Sequence, residues 1–290
     1  MINTPKRMGY LGPKGTFSYF AFVAYQERYS QDYEGVSMDS FIDLFEGFKA
    51  GQLDEIIVPI ENSVEGCVNP SLDLLVKNPN VWIKNEICMP IQHSLMTVES
   101  TTLDNIQEIY SHAQPLAQCR HYLHEKLPKS HLHHMASTAK AAEKVVAERR
   151  EGTAIIGSHF LSHLYPLTVM EDNIQDSKTN TTRFIIINKD KTKPTERDKT
   201  SLVFSTKKDQ PGSLYEVLSI FANGNINLTR IASRPTKNDL GEYVFFLDFE
   251  GHAKERVIEE VLAAVQTKTS FYKLLGAYPV DNRSQERGAL

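Results

Sequence analysis

The sequence predicts an α/β protein that ends in a smaller domain of ferredoxin-like layout, and three observations lead to this fold class. Short apolar runs alternate with amphipathic helical patterns from Met8 to Asn188, which is typical of α/β layering. The charged segment Lys189–Lys199 contains no aliphatic or aromatic residue, so it predicts a linker that buries nothing. Beyond it, the patterns predict the order strand, helix, strand, strand, helix, strand.

The composition excludes several classes of protein. The chain has 290 residues, 41% of them hydrophobic and 23% charged, which is ordinary for a globular protein with a sizeable core. A formal net charge of -4 provides no basic face for phosphate contacts, so we expect no nucleic-acid partner. Cys67, Cys88 and Cys119 lack the spacing of metal ligands and indicate reduced thiols. The polar start Met1–Arg7 and the lack of a long apolar run predict no signal peptide, no membrane segment and a cytoplasmic location.

The first predicted strand leads into a candidate anion site. Met8–Leu11 predicts a strand, and the glycine-containing turn Gly12–Ser18 predicts entry into a helix that Thr16 or Ser18 would cap. Free N–H groups at a helix N-terminus bind anions, although the same turn also suits an ordinary tight connection. Because the turn is not G-x-G-x-x-G, we expect no dinucleotide.

The second polar loop follows a helix predicted over Ser40–Ala50 and a buried strand predicted over Ile56–Ile60. The strand leads to Glu61–Gly66, and ligands bind at the carboxyl ends of strands in open α/β sheets. The alternative is a helix start that Ser63 or Asn69 caps.

The middle of the chain predicts a second lobe. Val81–Ile91 and His93–Val98 predict strands that lead into it, and Ile106–Tyr110 predicts another. His112 and Gln114 stand just before the next helix, where side chains can reach a ligand. A cap or packing residue is the alternative for His112.

The run His131–His134 suggests a metal site, which we reject. In a strand only His131 and His133 share a face, and the sequence nearby offers no cysteine or carboxylate to complete the site. Farther on, Ser137 and Thr138 open a helix, where their hydroxyl groups can cap it or contact a ligand.

The stretch Gln175–Ile187 returns the chain from the second lobe. An amide, a hydroxyl group and a fixed positive charge stand together at the edge of an apolar run, on Asn180, Thr182 and Arg183. This pattern suits a proton donor beside an anion-binding arginine. A polar turn is the alternative. The last predicted elements are Leu202–Ser205, Gly212–Phe221, Ile226–Ser233, Tyr243–Phe249, Ala253–Val265 and Phe271–Gly276.

Four motifs together resemble those of prephenate dehydratases. They are Gly12-Pro13-x-Gly15-Thr16-Phe17-Ser18, Pro59-Ile60-Glu61-Asn62-Ser63-x-Glu65-Gly66, Ser111-His112-x-Gln114-x-Leu116-Ala117-Gln118-Cys119 and Asn180-x-Thr182-Arg183-Phe184. Two motifs in the C-terminal part, Pro211-Gly212-Ser213-Leu214 and Ser233-Arg234-Pro235, resemble those of the amino-acid-binding ACT domain. The motifs span nearly the whole chain in the order of that family.

The resemblance implies a catalytic domain of the periplasmic-binding-protein-like type II fold, with the active site between two lobes. Prephenate loses water and carbon dioxide to give phenylpyruvate in L-phenylalanine biosynthesis, and this chemistry requires no cofactor and no metal. Thr182 matches the threonine proposed as proton donor, and Arg183 would stabilise charge unless it is structural and paired with Glu61. The substrate-binding residues implied are Gly15, Thr16, Ser18, Glu61, Asn62, Ser63, His112, Gln114, Gln118, Ser137, Thr138, Asn180 and Phe184.

The ACT resemblance implies allosteric feedback by L-phenylalanine and a homodimer or homotetramer, because one copy supplies half of the effector site. The matching positions are Gly212, Ser213, Leu214, Asn227, Leu228, Ser233 and Arg234. The family usually has Glu before Ser-Arg-Pro, where this chain has Ala232. If that Glu helps to bind or couple the effector, we expect a weakened or altered phenylalanine response.

These patterns predict the domain boundaries and leave two rival functions. The catalytic domain is predicted at 1–188, with one lobe at 1–85 and 175–188 and the other at 86–174. The linker follows at 189–199, the ACT domain at 200–281 and a polar tail at 282–290. A chorismate mutase ahead of Met8 is not expected. The rival functions are arogenate dehydratase, which differs only at the substrate side chain, and a non-catalytic amino-acid-binding sensor.

Overall fold

The computed structural model describes residues 5–98, 101–207, 210–236 and 243–281, and the predicted polar tail 282–290 lies outside them. The strands are β1 (Lys6–Leu11), β2 (Tyr33–Met38), β3 (Glu55–Asn62), β4 (Gly66–Cys67), β5 (Trp82–Pro90), β6 (Ser94–Thr97), β7 (Glu108–Ser111), β8 (His131–His134), β9 (Thr153–Gly157), β10 (Thr168–Glu171), β11 (Thr181–Asn188), β12 (Asp198–Thr206), β13 (Leu228–Pro235), β14 (Tyr243–Glu250) and β15 (Thr269–Pro279). The helices are α1 (Phe17–Tyr29), α2 (Phe41–Lys49), α3 (Asn69–Lys77), α4 (Ala113–Gln118), α5 (Arg120–Lys126), α6 (Thr138–Glu148), α7 (Leu161–Leu164), α8 (Ser213–Asn223) and α9 (Arg256–Lys268).

The first sheet has the strand order β2-β1-β3-β11-β5, with β4 paired to β3. β1 runs parallel to both β2 and β3. The interior of this sheet is built from apolar side chains, because burial removes them from water, and Met8, Ile57 and Ile186 are completely buried. β11 joins this sheet after the chain has passed through the second one, and it lies next to β3. The polar start of β11 is therefore beside the polar end of β3.

The second sheet has the order β10-β6-β9-β7-β8. Its parallel strands β7, β8 and β9 carry helices between them, and β6 runs antiparallel to β9. The buried alanines of α6, Ala141 and Ala142, belong to the same core cluster as Ile155 of β9, because small side chains permit close helix-to-sheet packing.

The third sheet is antiparallel with the order β13-β14-β12-β15, which confirms the predicted ferredoxin-like layout. Its core contains Phe204 and Phe249 from the sheet and Phe221 from α8. β12 already begins at Asp198, inside the segment predicted as a linker. Asp198 is buried, so the prediction that this segment buries nothing is wrong at this residue. Its carboxylate accepts hydrogen bonds from the backbone N–H and the hydroxyl group of Thr195, at 2.6 and 2.7 Å.

The contacts divide the chain into two compact units, residues 1–66 with 89–184 and residues 67–88 with 185–290. In the second unit, Nζ of Lys273 donates to the backbone carbonyls of Leu75, at 2.5 Å, and of Asn78, at the end of α3. Nζ of Lys199 lies 2.9 Å from the buried carboxylate of Glu86. These bonds hold residues 67–88 together with the C-terminal part of the chain, while the predicted domain boundaries stay a prediction.

The same unit holds the single tryptophan of the chain, Trp82, with Nζ of Lys191 at 4.3 Å from the centre of its ring. Among the described residues, no helix has the length and apolar character that crossing a membrane requires.

Candidate active site

A chain of amide and hydroxyl side chains lies at the neighbouring ends of β3 and β11. Nδ2 of Asn62 donates to Oγ1 of Thr182 and to Oδ1 of Asn180, at 2.8 Å in both cases. The three residues are 8%, 8% and 2% exposed, respectively. Polar groups buried to this extent require partners, and each of the three finds one in this network.

The direction of these hydrogen bonds is set by the backbone. Oδ1 of Asn62 accepts from the N–H groups of Val64 and Glu65, both at 2.9 Å. Since a backbone N–H can only donate, the oxygen of Asn62 faces this loop and its Nδ2 faces Thr182. Oγ1 of Thr182 is therefore an acceptor for Asn62, and the hydroxyl hydrogen of Thr182 is available to donate to another group.

Gln118 and His93 extend the network. Oε1 of Gln118 accepts from Nδ2 of Asn180 at 3.2 Å and lies 2.9 Å from Nε2 of His93. Nε2 of Gln118 donates to the carboxylate of Glu65 at 3.3 Å. Because a carboxylate accepts, the amide oxygen of Gln118 faces His93, and His93 carries its proton on Nε2. Burial lowers the pKa of His93, so the ring is neutral near pH 7.

Backbone hydrogen bonds hold the same segments in register. The amide of Ile174 donates to the carbonyl of His93 at 3.0 Å, and the amide of Asp176 donates to the carbonyl of Gln118 at 2.7 Å. The amide of Ile91 donates to the carbonyl of Asn180 at 2.8 Å. Ser63, predicted as a substrate contact, instead pairs with Thr181: its N–H donates to the Thr181 carbonyl at 2.9 Å, and its Oγ accepts from the Thr181 amide at 3.0 Å.

Arg183 and Glu61 pair on the opposite side of the two strands. Nε of Arg183 lies 3.2 Å from Oε1 of Glu61, and the arginine side chain is 7% exposed. Successive side chains of a strand point to opposite faces, so this pair lies on the other face from Asn62 and Thr182. The geometry favours the structural alternative for Arg183 over contact with the reacting group. Phe184 is 1% exposed within the buried run of β11, which favours packing over substrate contact.

The glycine-containing turn forms the N-terminus of α1. Thr16 caps the helix, accepting from the amide of Tyr19 at 3.3 Å, as the sequence predicts. Gly15 has φ +95°, and a Cβ there would lie 3.0 Å from Leu161 Cδ2, so glycine is required. The ring of Phe17 contacts the edge of His93 with centroids 5.7 Å apart, which brings the positive end of the helix beside the polar network. Ser18, in the first turn, is buried.

Other predicted site residues cap helices. Nδ1 of His112 accepts from the amide of Gln114 at 3.4 Å at the start of α4, and both side chains are exposed. Ser137 caps α6 by accepting from the amide of Lys140 at 3.1 Å. Thr138 is buried in the first turn of that helix. The structure therefore gathers Asn62, Gln118, Asn180 and Thr182 into one network, and it gives His112 and Ser137 the capping role considered as their alternative.

The histidines of β8 have a carboxylate neighbour that the sequence reasoning missed. Nε2 of His133 contacts the carboxylate of Glu108 on the paired strand β7, and its ring stacks on Tyr110 at 4.5 Å. Strand pairing joins residues far apart in sequence, so the sequence near the histidines gave no sign of this carboxylate. Within the described parts of the chain, no group of three or more metal-ligating side chains is arranged to hold a metal ion.

The predicted effector residues fall into two groups. Gly212, with φ +89°, precedes α8, which begins at Ser213, and Leu214 packs on the core of the third sheet. Asn227 accepts from the Glu250 amide at 3.0 Å with its backbone carbonyl.

The second group lies on β13, which begins at Leu228. Ser233 is exposed, and NH2 of Arg234 lies 2.8 Å from Oδ1 of Asp73 on α3. Ala232 pairs with Phe246 of β14.

Two members of the network, His93 and Glu65, were not predicted as site residues. Glu65 stands within the second motif, next to residues that were predicted, so the motif itself contained the signal. His93 offered no local signal: it is a single histidine before an apolar strand, and its contact with Gln118 spans 25 residues.

Comparisons with known proteins show the family of the chain. A family model described as prephenate dehydratase matches residues 8–192, and one described as ACT domain matches residues 200–266. A prephenate dehydratase of Methanocaldococcus jannaschii is 41% identical over 282 residues, covering 95% of this chain and 98% of that protein. The chloroplastic arogenate dehydratase 5 of Arabidopsis thaliana is 35% identical, covering 95% of this chain and 68% of that protein.

Among solved structures, a prephenate dehydratase from Arthrobacter aurescens in complex with L-Phe matches with a TM-score of 0.85 and 32% identity. The match covers 94% of this chain and 90% of that chain.

Proposed function

The chain belongs to the prephenate dehydratase family and carries an ACT domain, and from this premise we propose that Thr182 donates the hydrogen bond that assists departure of the ring hydroxyl of prephenate. The fold and the enzyme class expected from the motifs are confirmed by the same relationship. The roles of individual residues are our proposal.

The reaction makes one strong demand on the protein. The C–C bond to the ring carboxylate breaks and releases carbon dioxide, its electrons complete the aromatic ring, and the C–O bond to the hydroxyl breaks. Hydroxide is a poor leaving group, so the departing oxygen needs a hydrogen-bond donor and finally a proton to leave as water. Aromatisation supplies the driving force, and the site has to orient the substrate and assist this one oxygen.

The observation that carries the proposal is the direction of the hydrogen bond between Asn62 and Thr182. Since Asn62 donates to Oγ1 of Thr182, the hydroxyl hydrogen of Thr182 points elsewhere and can reach the departing oxygen. A threonine hydroxyl group is a weak acid, so we assign it donation within a network. The proton that converts the departing hydroxide into water comes from solvent, and Thr182 keeps its own.

The substrate carboxylates need complementary charge, and we assign this role to the N-terminus of α1. Its N–H groups around Gly15–Ser18 carry partial positive charge beside His93 and the network. We assign Arg183 a structural role, in which it pairs with Glu61 and links β11 to β3.

Regulation follows from the C-terminal domain. We propose that L-phenylalanine binds at Gly212–Leu214 and β13 of two ACT domains and lowers activity, in a cytoplasmic homodimer or homotetramer. The solved relative in complex with L-Phe supports this effector. A titration with phenylalanine should lower turnover, and one that shows neither binding nor inhibition would reject feedback control.

Arogenate dehydratase is the second candidate function, because a relative of that name matches most of this chain. Arogenate carries an amino group where prephenate carries a keto group. The product therefore distinguishes the two, phenylpyruvate from one and phenylalanine from the other.

Thr182→Val tests the proposal directly. We expect it to lower kcat for phenylpyruvate formation about 100- to 1000-fold, as loss of one preorganised donor does, with KM changed little. The assay should compare prephenate with arogenate on the same purified protein.

The matched control is Thr181→Val, the preceding residue, whose hydroxyl group bonds the carbonyl of Thr179. Its kcat should stay close to that of the unaltered enzyme. A folded Thr182→Val variant with an unchanged kcat would remove Thr182 from the chemistry.

A further inference from the structure

We infer that His93 is a positioning residue of this reaction: its Nε2–H holds the amide oxygen of Gln118 toward Asn180, and so keeps in place the far end of the network that orients the Thr182 hydroxyl. The inference rests on the proposed role of Thr182. His93 is 1% exposed, so it acts through Gln118 and does not touch the substrate.

The histidine ring is itself held from several directions. Its backbone N–H donates to Oε1 of Gln175 at 2.9 Å, and its carbonyl accepts from the amide of Ile174 at 3.0 Å. The ring of Phe17 contacts it at an interplanar angle of 77°. A ring fixed in this way offers its N–H in one direction only, which is what positioning requires.

Gln118 is the member of the network that most needs such support. Its side chain is partly exposed, and its bond to Glu65, at 3.3 Å, ends on an exposed carboxylate. The 2.9 Å contact with His93 is the shortest that the amide makes. If the amide turned over, Nε2 of Gln118 would face Nδ2 of Asn180, donor against donor, and Asn180 could no longer keep its oxygen toward Asn62.

The remaining nitrogen of His93 supports a single tautomer. Nδ1 is buried and makes no hydrogen bond, so it is the unprotonated nitrogen of the neutral ring. A side chain that carries an N–H at the Nε2 position should therefore retain the positioning function of histidine. A side chain that carries its N–H at the Nδ1 position should not.

Three substitutions of His93 test the inference. Removing one neutral hydrogen bond should cost about tenfold in kcat, so His93→Leu should lose about that much, with KM changed less than threefold. His93→Gln, whose amide reaches the Nε2 position, should recover kcat to within about threefold, and His93→Asn should stay near the leucine level. Equal kcat values for the Gln and Asn variants would overturn the inference, even if the leucine variant does not fold.

A double-mutant cycle separates positioning from a general effect on folding. If His93 acts through Gln118, His93→Leu should lower kcat no further in a Gln118→Met background. Independent, multiplying losses would overturn the inference. Thr97→Val is the control, because Thr97 is buried on β6, the strand that follows His93, and its hydroxyl makes no hydrogen bond. Its kcat should be unchanged.

The outcome for Thr182 distinguishes this inference from the proposal on which it rests. An inactive Thr182→Val enzyme together with a fully active His93→Leu enzyme rejects the positioning role alone. A fully active Thr182→Val enzyme rejects the proposed function, whatever His93 does.

Discussion

Thr182 and Arg183 are neighbours in sequence, yet the pleat of β11 gives them opposite surroundings. One hydroxyl group joins the polar network with Asn62, and the guanidinium pairs with Glu61 on the other face. The sheet therefore divides a motif that is continuous in sequence between two faces with different partners.

This division predicts the behaviour of Arg183 variants. Arg183→Leu leaves the partly buried carboxylate of Glu61 without this cation and should lower the free energy of unfolding by about 1–3 kcal/mol. Thermal or urea unfolding measures the change. The double variant Arg183→Leu with Glu61→Leu should regain much of that stability. A double variant as unstable as the single one would show that the pair is not what Arg183 contributes.

At the scale of single elements, most capping residues and strand patterns could be predicted and distant pairings could not. The cap considered for α3, Ser63 or Asn69, is wrong, because Val68 precedes that helix without a side-chain hydrogen bond and Ser63 pairs with Thr181. Thr16, Ser40 and Ser137 cap helices, and each bonds an amide three residues later, so the pattern is local. The bond between Asn62 and Thr182 spans 120 residues, and its existence depends on β11 entering the first sheet beside β3. The motifs identified both residues as site candidates, while the direction of the bond depends on how the backbone amides of Val64 and Glu65 orient Asn62.

Helix α3 ends on a partly buried cation, Lys273, which predicts a pH-dependent stability. Burial lowers the pKa of Lys273 from 10.5 to about 8. Between these values the unfolded chain keeps a proton that the folded chain has lost, so this group makes stability rise with pH across the window. Lys273→Met removes both this titration and two hydrogen bonds to the α3 carbonyls.

We expect Lys273→Met to lower the unfolding free energy by about 1–3 kcal/mol at pH 10, where the cost of burying the charge no longer offsets the two hydrogen bonds. The difference from the unaltered protein should widen between pH 8 and 10. Urea unfolding at several pH values measures both effects. Lys77→Met, an exposed lysine in the last turn of the same helix, should show neither. A constant difference across this range would contradict the assigned pKa direction.

At the scale of the whole molecule, residues 67–88 belong with the C-terminal part of the chain. Glu86 is 1% exposed and receives Lys199 and the backbone N–H of Asp281. A chain that stops after Asp190 loses both partners and leaves a buried charge poorly compensated.

We therefore predict that the truncated chain unfolds at a clearly lower temperature than the full chain, as circular dichroism would measure. Glu86→Gln should narrow that gap, because it removes the buried charge, while it should destabilise the full chain. A truncated chain with the full thermal stability would show that its first 190 residues fold independently.

The cation over Trp82 has a spectroscopic consequence. Because the sequence contains a single tryptophan and it lies in the unit of residues 67–88 and 185–290, selective excitation of the indole reports on that unit alone. Loss of the Lys191 contact on unfolding should change the emission of the ring. Fluorescence and circular dichroism recorded on the same sample can then reveal whether the two units melt together or in separate transitions.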